Sequence, residues 1–344
     1  NYAKFTIKKG TDMKEWFDLS EQDRREVIVQ TSILKGLPQA AIEKDWWVVA
    51  VLRTLFETKY SNHLVFKGGT SLSKAWRLIE RFSEDIDLGM DKSFFEFEGD
   101  LSRKQVKRLR KASCKFVSEI LPQDLEDKLH EMGIKDFTIH VRDFEESDTD
   151  PLAIEIRYKS LVDKVPYLEP RILVEISSRS LRGPFENREV ISFIGEMYRG
   201  LSFADKAVNI PTVLPQRTFL EKLFLLHEEF QKPKERGPIR SHRMTRHLYD
   251  VSRMMDTGFG ESAIKDKALY DKIVAHREVY ARISWIDYSK HGYETLNFIP
   301  PEEVMAEWEE DYAEMKESMF YGKTESFKDL INKLTGLRDR FNSA

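Results

Sequence analysis

The stretch Phe66-Lys67-Gly68-Gly69-Thr70-Ser71-Leu72-Ser73-Lys74, followed by Arg81-Phe82-Ser83-Glu84-Asp85-Ile86-Asp87-Leu88, decides the fold. His63–Phe66 reads as a short buried strand, Gly68-Gly69 as a tight turn, and Leu72–Ile79 as a helix leaving it. Asp85–Leu88 is a second short strand. Glycines let backbone come close to an anion, and N–H groups at a helix start point towards it. Thr70, Ser71 and Ser73 add hydroxyls and Lys74 adds charge. Neither the Walker spacing nor the dinucleotide Gly-x-Gly-x-x-Gly spacing is present.

In a strand, residues i and i+2 share a face, so Asp85 and Asp87 put two carboxylates at one point. That crowding is costly without a cation, and oxygen ligands of this kind suit Mg²⁺ or Mn²⁺. Alone, Asp-x-Asp reads as two solvated aspartates and Gly-Gly as an ordinary turn. The turn, one helix and the acid pair in sequence are far more specific.

Outward from this centre, Ser20 opens a helical segment through Lys35 that Gly36-Leu37-Pro38 breaks. A second helix, about Gln39 to Thr58, repeats Ile42, Trp46, Val49 and Leu52 on an apolar face, suited to covering a sheet. Trp46 and Trp47 read as core. Leu101–Leu121 is a basic helix, and Phe137–Arg142, Ala153–Ser160 and Arg171–Ser177 read as strands. From Thr218, where Thr218-Phe219-Leu220-Glu221 has capping-box form, the pattern is helical. The expected organisation is N-terminal covering helices over 1–60, a mixed α/β core over 61–204 and a helical domain over 205–344.

Hydrophobic residues make up 41% of the 344, enough for a sizeable core, and charged residues 33%. No apolar run is long enough to span a membrane. Cys114 is the single cysteine, which excludes an internal disulfide and a multi-cysteine zinc site. With no basic-then-apolar leader, a cytoplasmic location is the expectation. The net charge of −4 hides an asymmetry: Pro301–Leu330 holds ten acids and three bases, a local −7 that leaves +3 elsewhere. Seven bases and no acid lie between Leu101 and Val117, and Lys232–His247 holds six against Glu235. The first reads equally as a solvated face or an RNA-backbone contact, and the second leads directly into Asp250, where acceptor RNA could approach.

The glycine turn and the Arg81–Leu88 stretch resemble the AbiEii/AbiGii nucleotidyltransferase toxins of the polymerase-beta-like superfamily, found in bacterial toxin–antitoxin and phage-defence systems. Glu221-Lys222-Leu223 is similar to the family's third motif, and Arg246-His247-Leu248-Tyr249-Asp250 to its fourth. The resemblance implies an α+β nucleotidyltransferase domain, a mixed sheet flanked by helices, with a C-terminal helical domain. It implies an NTP lying over Gly68, Gly69, Thr70 and Ser71, with Lys74 and Ser83 nearby, and Mg²⁺ or Mn²⁺ on Asp85 and Asp87. A lysine at Lys222 contacts phosphate, and Asp250 orients Lys222 or a metal-bound water. The superfamily often adds a third carboxylate; Glu175 is the candidate and Glu155 its rival. The superfamily's usual turn is Gly-Ser, so which of Thr70 and Ser71 meets the triphosphate stays open. The implied acceptor is RNA, with the tRNA 3′ end foremost, and the implied partner is a cognate antitoxin. Two other readings keep the same residues: nucleotide transfer to a protein hydroxyl, and a catalytically silent nucleotide-binding regulator, which the intact acid pair disfavours.

Overall fold

The computed structural model describes residues 13–163, 165 and 168–343. The first twelve residues of the expected covering region lie outside them. The described residues divide into two compact units. One holds the residues up to Ala75 and Ser83–Thr212, the other Trp76–Phe82 and Val213 onward.

In the first unit, α1 (Lys14–Asp18), α2 (Glu21–Lys35) and α3 (Gln39–Phe56) precede the sheet. α2 starts where Ser20 accepts from the Asp23 N–H and stops at Gly36, whose φ of 65° suits a residue without a Cβ. α3 was expected to bury one face, but it is buried almost all round from Ala40 to Leu55. Trp47 stacks on Tyr158 at 4.8 Å and Trp46 on Trp16 at 5.3 Å, so both tryptophans are core.

The strands are β1 (Leu64–Lys67), β2 (Ile86–Met90), β3 (Phe137–Val141), β4 (Leu152–Tyr158), β5 (Arg171–Ser177), β6 (Phe185–Val190) and β7 (Val208–Val213). They form one mixed sheet in the order β3-β4-β5-β2-β1-β7-β6. β1 runs antiparallel to β2, and β2 parallel to β5. β6 and β7 have no counterpart in the sequence reading. The helix after the glycine turn is shorter than expected. A helical turn α4 (Gly68–Thr70) continues as π-helix over Ser71–Ala75 and ends there, not at Ile79. The basic segment forms α5 (Arg103–Lys115), a π-helical stretch at Phe116–Ile120 and α6 (Leu121–Glu131). A short helix, α7 (Phe193–Met197), lies between β6 and β7.

The second unit is helical: α8 (Pro215–Phe230), α9 (Thr245–Met255), α10 (Gly258–Lys265), α11 (Lys267–Tyr280), α12 (Met305–Ser318) and α13 (Phe327–Asn342). α8 begins at Pro215, not at Thr218, because proline in the first turn has no N–H to leave unpaired. The segment Trp76–Phe82 belongs here by backbone pairing: Phe82 N–H donates to Met319 O at 2.7 Å and Tyr321 N–H to Glu80 O at 3.1 Å. The acidic stretch after Pro301 is structural in part. Asp311 on α12 is buried and accepts from Thr245 N–H at 3.0 Å, capping α9.

His227 on α8 and His291 are buried with ring centroids 4.6 Å apart. Burial pushes His227 down to about 4; burial, with His227 and Arg277 nearby, pushes His291 to about 3. An unfolded histidine protonates near pH 6.5, so below that pH the unfolded chain takes up protons the folded one refuses. This contribution to stability is full above about pH 6.5 and declines as pH falls towards 4, by about 3 kcal/mol for His227. The melting temperature should therefore fall between pH 6.5 and 4.5. His227→Asn keeps an acceptor for the Asn297 N–H and should flatten that slope. Parallel slopes for variant and wild type would contradict this.

Candidate active site

Gly68 follows β1 with φ +78°, and a Cβ built on it would lie 2.0 Å from Asp87 Oδ2. The carboxylate therefore rests against the glycine turn, and only a residue without a side chain leaves it room. Asp85 and Asp87 are half-buried, while Ile86 and Leu88 between and beyond them are fully buried. In the parallel β2–β5 pair, Asp87 lies in register with Glu175, which is also half-buried. Two carboxylates thus adjoin on one sheet face, with Asp85 two residues earlier on the chain.

Glu155, the rival, is buried and spoken for. Arg171 Nη1 meets it at 2.8 Å, Arg142 Nη1 at 3.7 Å, and Arg157 pairs with its other oxygen. Burial alone would raise its carboxyl, but Arg171 and Arg157 hold it below the ordinary range. Of the two glutamates, only Glu175 stands beside the aspartates.

The hydroxyls of the turn have partners within the protein. Thr70 and Ser71 are both fully buried. Thr70 Oγ1 donates to the Asp85 carbonyl at 2.5 Å and lies 2.9 Å from Ser83 Oγ, so it ties the turn to the acidic strand. Ser71 Oγ donates to Gly68 O at 2.8 Å. Ser73 and Ser83 are half-buried. Lys74 Nζ lies 2.6 Å from Asp45 Oδ1 and 4.0 Å from the centre of the Phe193 ring, so its charge is already compensated.

Two positioning residues went unnoticed in the sequence. Lys44 on α3 donates to Glu84 Oε2 at 2.5 Å, next to Asp85, and its neighbour Asp45 holds Lys74. Burial raises the Asp45 carboxyl despite Lys74. The available signal was Glu43-Lys44-Asp45 inside an otherwise apolar helix.

The second unit builds a different cluster. Asp250 on α9 is fully buried and takes Arg81 bidentately, Nε to Oδ1 and Nη2 to Oδ2, both at 2.7 Å. Lys222 Nζ on α8 lies 2.8 Å from the same Oδ2 and 3.3 Å from His247 Nδ1. Burial would raise Asp250, but Arg81 and Lys222 outweigh it and leave the carboxyl below its usual range. Burial lowers Lys222, and Asp250 offsets this only in part. Asp250 thus pairs with Lys222 and with Arg81 at once. Two cations against one carboxylate leave an excess positive charge.

Residues 50–333 match the family described as nucleotidyl transferase AbiEii toxin, type IV toxin–antitoxin system. The chain belongs to this family. No curated protein matches the chain. As an AbiEii nucleotidyltransferase it carries the glycine turn and the acid pair in its first unit, and Lys222 and Asp250 in its second. No described helix is long and apolar enough to cross a membrane.

The donors at this site are carboxylate oxygens, the kind that Mg²⁺ takes. Among the described residues no group of three or more His, Cys, Asp or Glu forms a ready-made cage. Mg²⁺ binds through one or two carboxylates and completes its shell with waters and substrate phosphates, so a pair such as Asp85 and Asp87 would suit it better than Zn²⁺.

Gly68→Ala should destabilise the chain by about 1–3 kcal/mol, since it adds both a strained φ and a clash with Asp87. It should also depress transfer. A thermal melt with a labelled-nucleotide assay checks this; an unchanged melt and full activity would remove Gly68 from the site.

Proposed function

We propose that this AbiEii nucleotidyltransferase moves a nucleotide from an NTP to RNA, with the tRNA 3′ end as the foremost acceptor. We further propose that it is a growth-arresting toxin restrained by a cognate antitoxin. The observation that carries the reading is Asp87, seated against Gly68 and in register with Glu175. Asp85 and Asp87 would hold Mg²⁺, or Mn²⁺, with Glu175 as third carboxylate. The ion, when bound, neutralises charge on the triphosphate and lowers the pKa of an acceptor hydroxyl. Gly68 and Gly69 keep the turn open to phosphate, and Ser73 and Ser83 are the hydroxyls proposed to face it. Thr70, Ser71 and Lys74 are the further residues proposed to line the nucleotide, which of the two hydroxyls meets the triphosphate being left open. Lys222, oriented by Asp250, is proposed as the phosphate-binding cation.

The basic helix favours RNA over a protein hydroxyl as acceptor. Arg103, Lys104, Lys107, Arg108 and Lys111 on α5 are exposed and have no acidic partner among the described residues. Arg110 is tied to Asp148, and Lys115 lies 3.9 Å from Glu119. The second basic stretch is more engaged, with Arg240 on Glu229 at 2.7 Å and Lys234 near Glu303 at 3.6 Å. Pyrophosphate release tests the reading. It should require an NTP, RNA and a divalent ion together, and stop on chelation. Release that persists with a chelator, or that ignores RNA, would contradict it.

A further inference from the structure

The sheet face that carries Asp87 and Glu175 continues beyond them onto β4 and the edge strand β3. Strand register follows it outward. Asp87 pairs with Glu175, Glu175 with Ala153, and the Arg142 N–H donates to Ala153 O at 2.9 Å. Two residues along the strands, Leu173 pairs with Glu155, and Glu155 with His140. Two further, Arg171 pairs with Arg157, and Arg157 with Thr138. All belong to the first unit. Side chains on one face recur every second residue, so these rows form one continuous surface. The opposite face is apolar and buried, with Ile154, Ile156, Ile172, Val174 and Ile176.

At its outer end this surface is open and cationic. Thr138 and His140 are exposed, and the side chains of Arg142 and Arg157 are 51% and 56% exposed. Three guanidinium groups share Glu155, with Glu169 on the outer side of Arg171 at 2.8 Å. Arg142 and Arg157 form no other ion pair or hydrogen bond through their side chains among the described residues. Each guanidinium has five N–H donors, so most remain for a ligand. The buried Glu155 holds the forks in place, an arrangement suited to phosphate oxygens. Arg142 lies three strand spacings from Asp87, roughly 14 Å.

We propose that this arginine surface on β3, β4 and β5 is a track for the phosphodiester backbone of the acceptor RNA, leading its end towards Asp87 and Glu175. The occupant follows from charge complementarity and from continuity with the carboxylates on the same face. The proposal rests on the nucleotidyl-transfer reading given above, and Arg142 and Arg157 act in it as positioning residues.

The test uses the full chain with Arg142→Gln/Arg157→Gln, and with Arg142→Lys/Arg157→Lys as the charge-keeping control. Arg171 stays on Glu155 in both, and thermal melts verify folding. RNA binding is measured without NTP across a salt series, then KM for RNA and for NTP in the transfer assay. The Gln pair should flatten the salt dependence by about 1.4 in slope, at about 0.7 per lost single-strand phosphate contact. It should raise the RNA KM at least about tenfold with the NTP KM unchanged, since two lost charge-assisted contacts are worth that or more. The Lys pair should keep most of the slope. An unchanged slope and RNA KM in the Gln pair would overturn the track, as would wild-type transfer to protein alone. Wild-type RNA binding with a flattened slope in the Gln pair, but no transfer under any condition, would sink the transfer reading and leave the RNA surface standing.

Discussion

Asp87→Asn should lower nucleotidyl transfer by about a thousandfold, roughly 4 kcal/mol of transition-state stabilisation. The amide keeps the shape of the carboxylate and removes the charge that holds a divalent ion. Asp85→Asn should lose transfer to a similar extent. Stability should not follow activity. Asp87 is half-buried and lies in register with another acid, Glu175. Removing one of two neighbouring like charges relieves repulsion, so the melting temperature of Asp87→Asn should hold or rise. Nucleotide transfer and a melt on the same sample check both halves. Wild-type rates in Asp87→Asn would remove the acid pair from the chemistry, and a collapsed melt would make its role structural.

The second large effect separates Lys222 from Asp250. In Lys222→Ala, Arg81 and Asp250 remain as a bidentate, charge-balanced pair. The fold should persist while transfer drops by at least about a hundredfold, the scale expected for losing one charged contact to the reacting group. In Asp250→Asn, Arg81 and Lys222 are both left buried without a counter-charge, and the cost should be about 3–5 kcal/mol of stability. Comparison of the two melts decides the assignment. A Lys222→Ala protein that is folded and fully active would make Lys222 a structural lysine. Equal melts for Asp250→Asn and wild type would contradict the clamp.

What could be read from the sequence follows physical locality. The glycine turn, the acid pair and the strands around them are set by neighbours a few residues apart. So are α2, with Ser20 at one end and Gly36 at the other, and the capped start of α5. Glu175 was singled out as an acid in an apolar strand, and its place beside Asp87 is a matter of register that sequence alone does not fix. β6 reads Phe-Glu-Asn-Arg-Glu-Val with little apolar alternation, and β7 contains Pro211, so neither announces a strand. The Arg81–Asp250 pair joins residues 169 apart in the chain, and no local pattern predicts it. The same holds for Lys44 and Asp45, whose partners Glu84 and Lys74 lie in the motifs they support. Thr70 and Ser71 adjoin the glycines, and their order in the chain does not say which hydroxyl meets a triphosphate. The Thr70 bond to the Asp85 carbonyl depends on how the two strands come together, which no local pattern gives.

The most direct measurement of the central claim is where label goes. Total RNA and cell protein are incubated with the wild-type chain, Mg²⁺ and each α-labelled NTP in turn, with Asp87→Asn run alongside. The account expects label on RNA with at least one NTP, none without the divalent ion, and almost none with Asp87→Asn. Label confined to protein, or RNA labelled equally by wild type and Asp87→Asn, would contradict it.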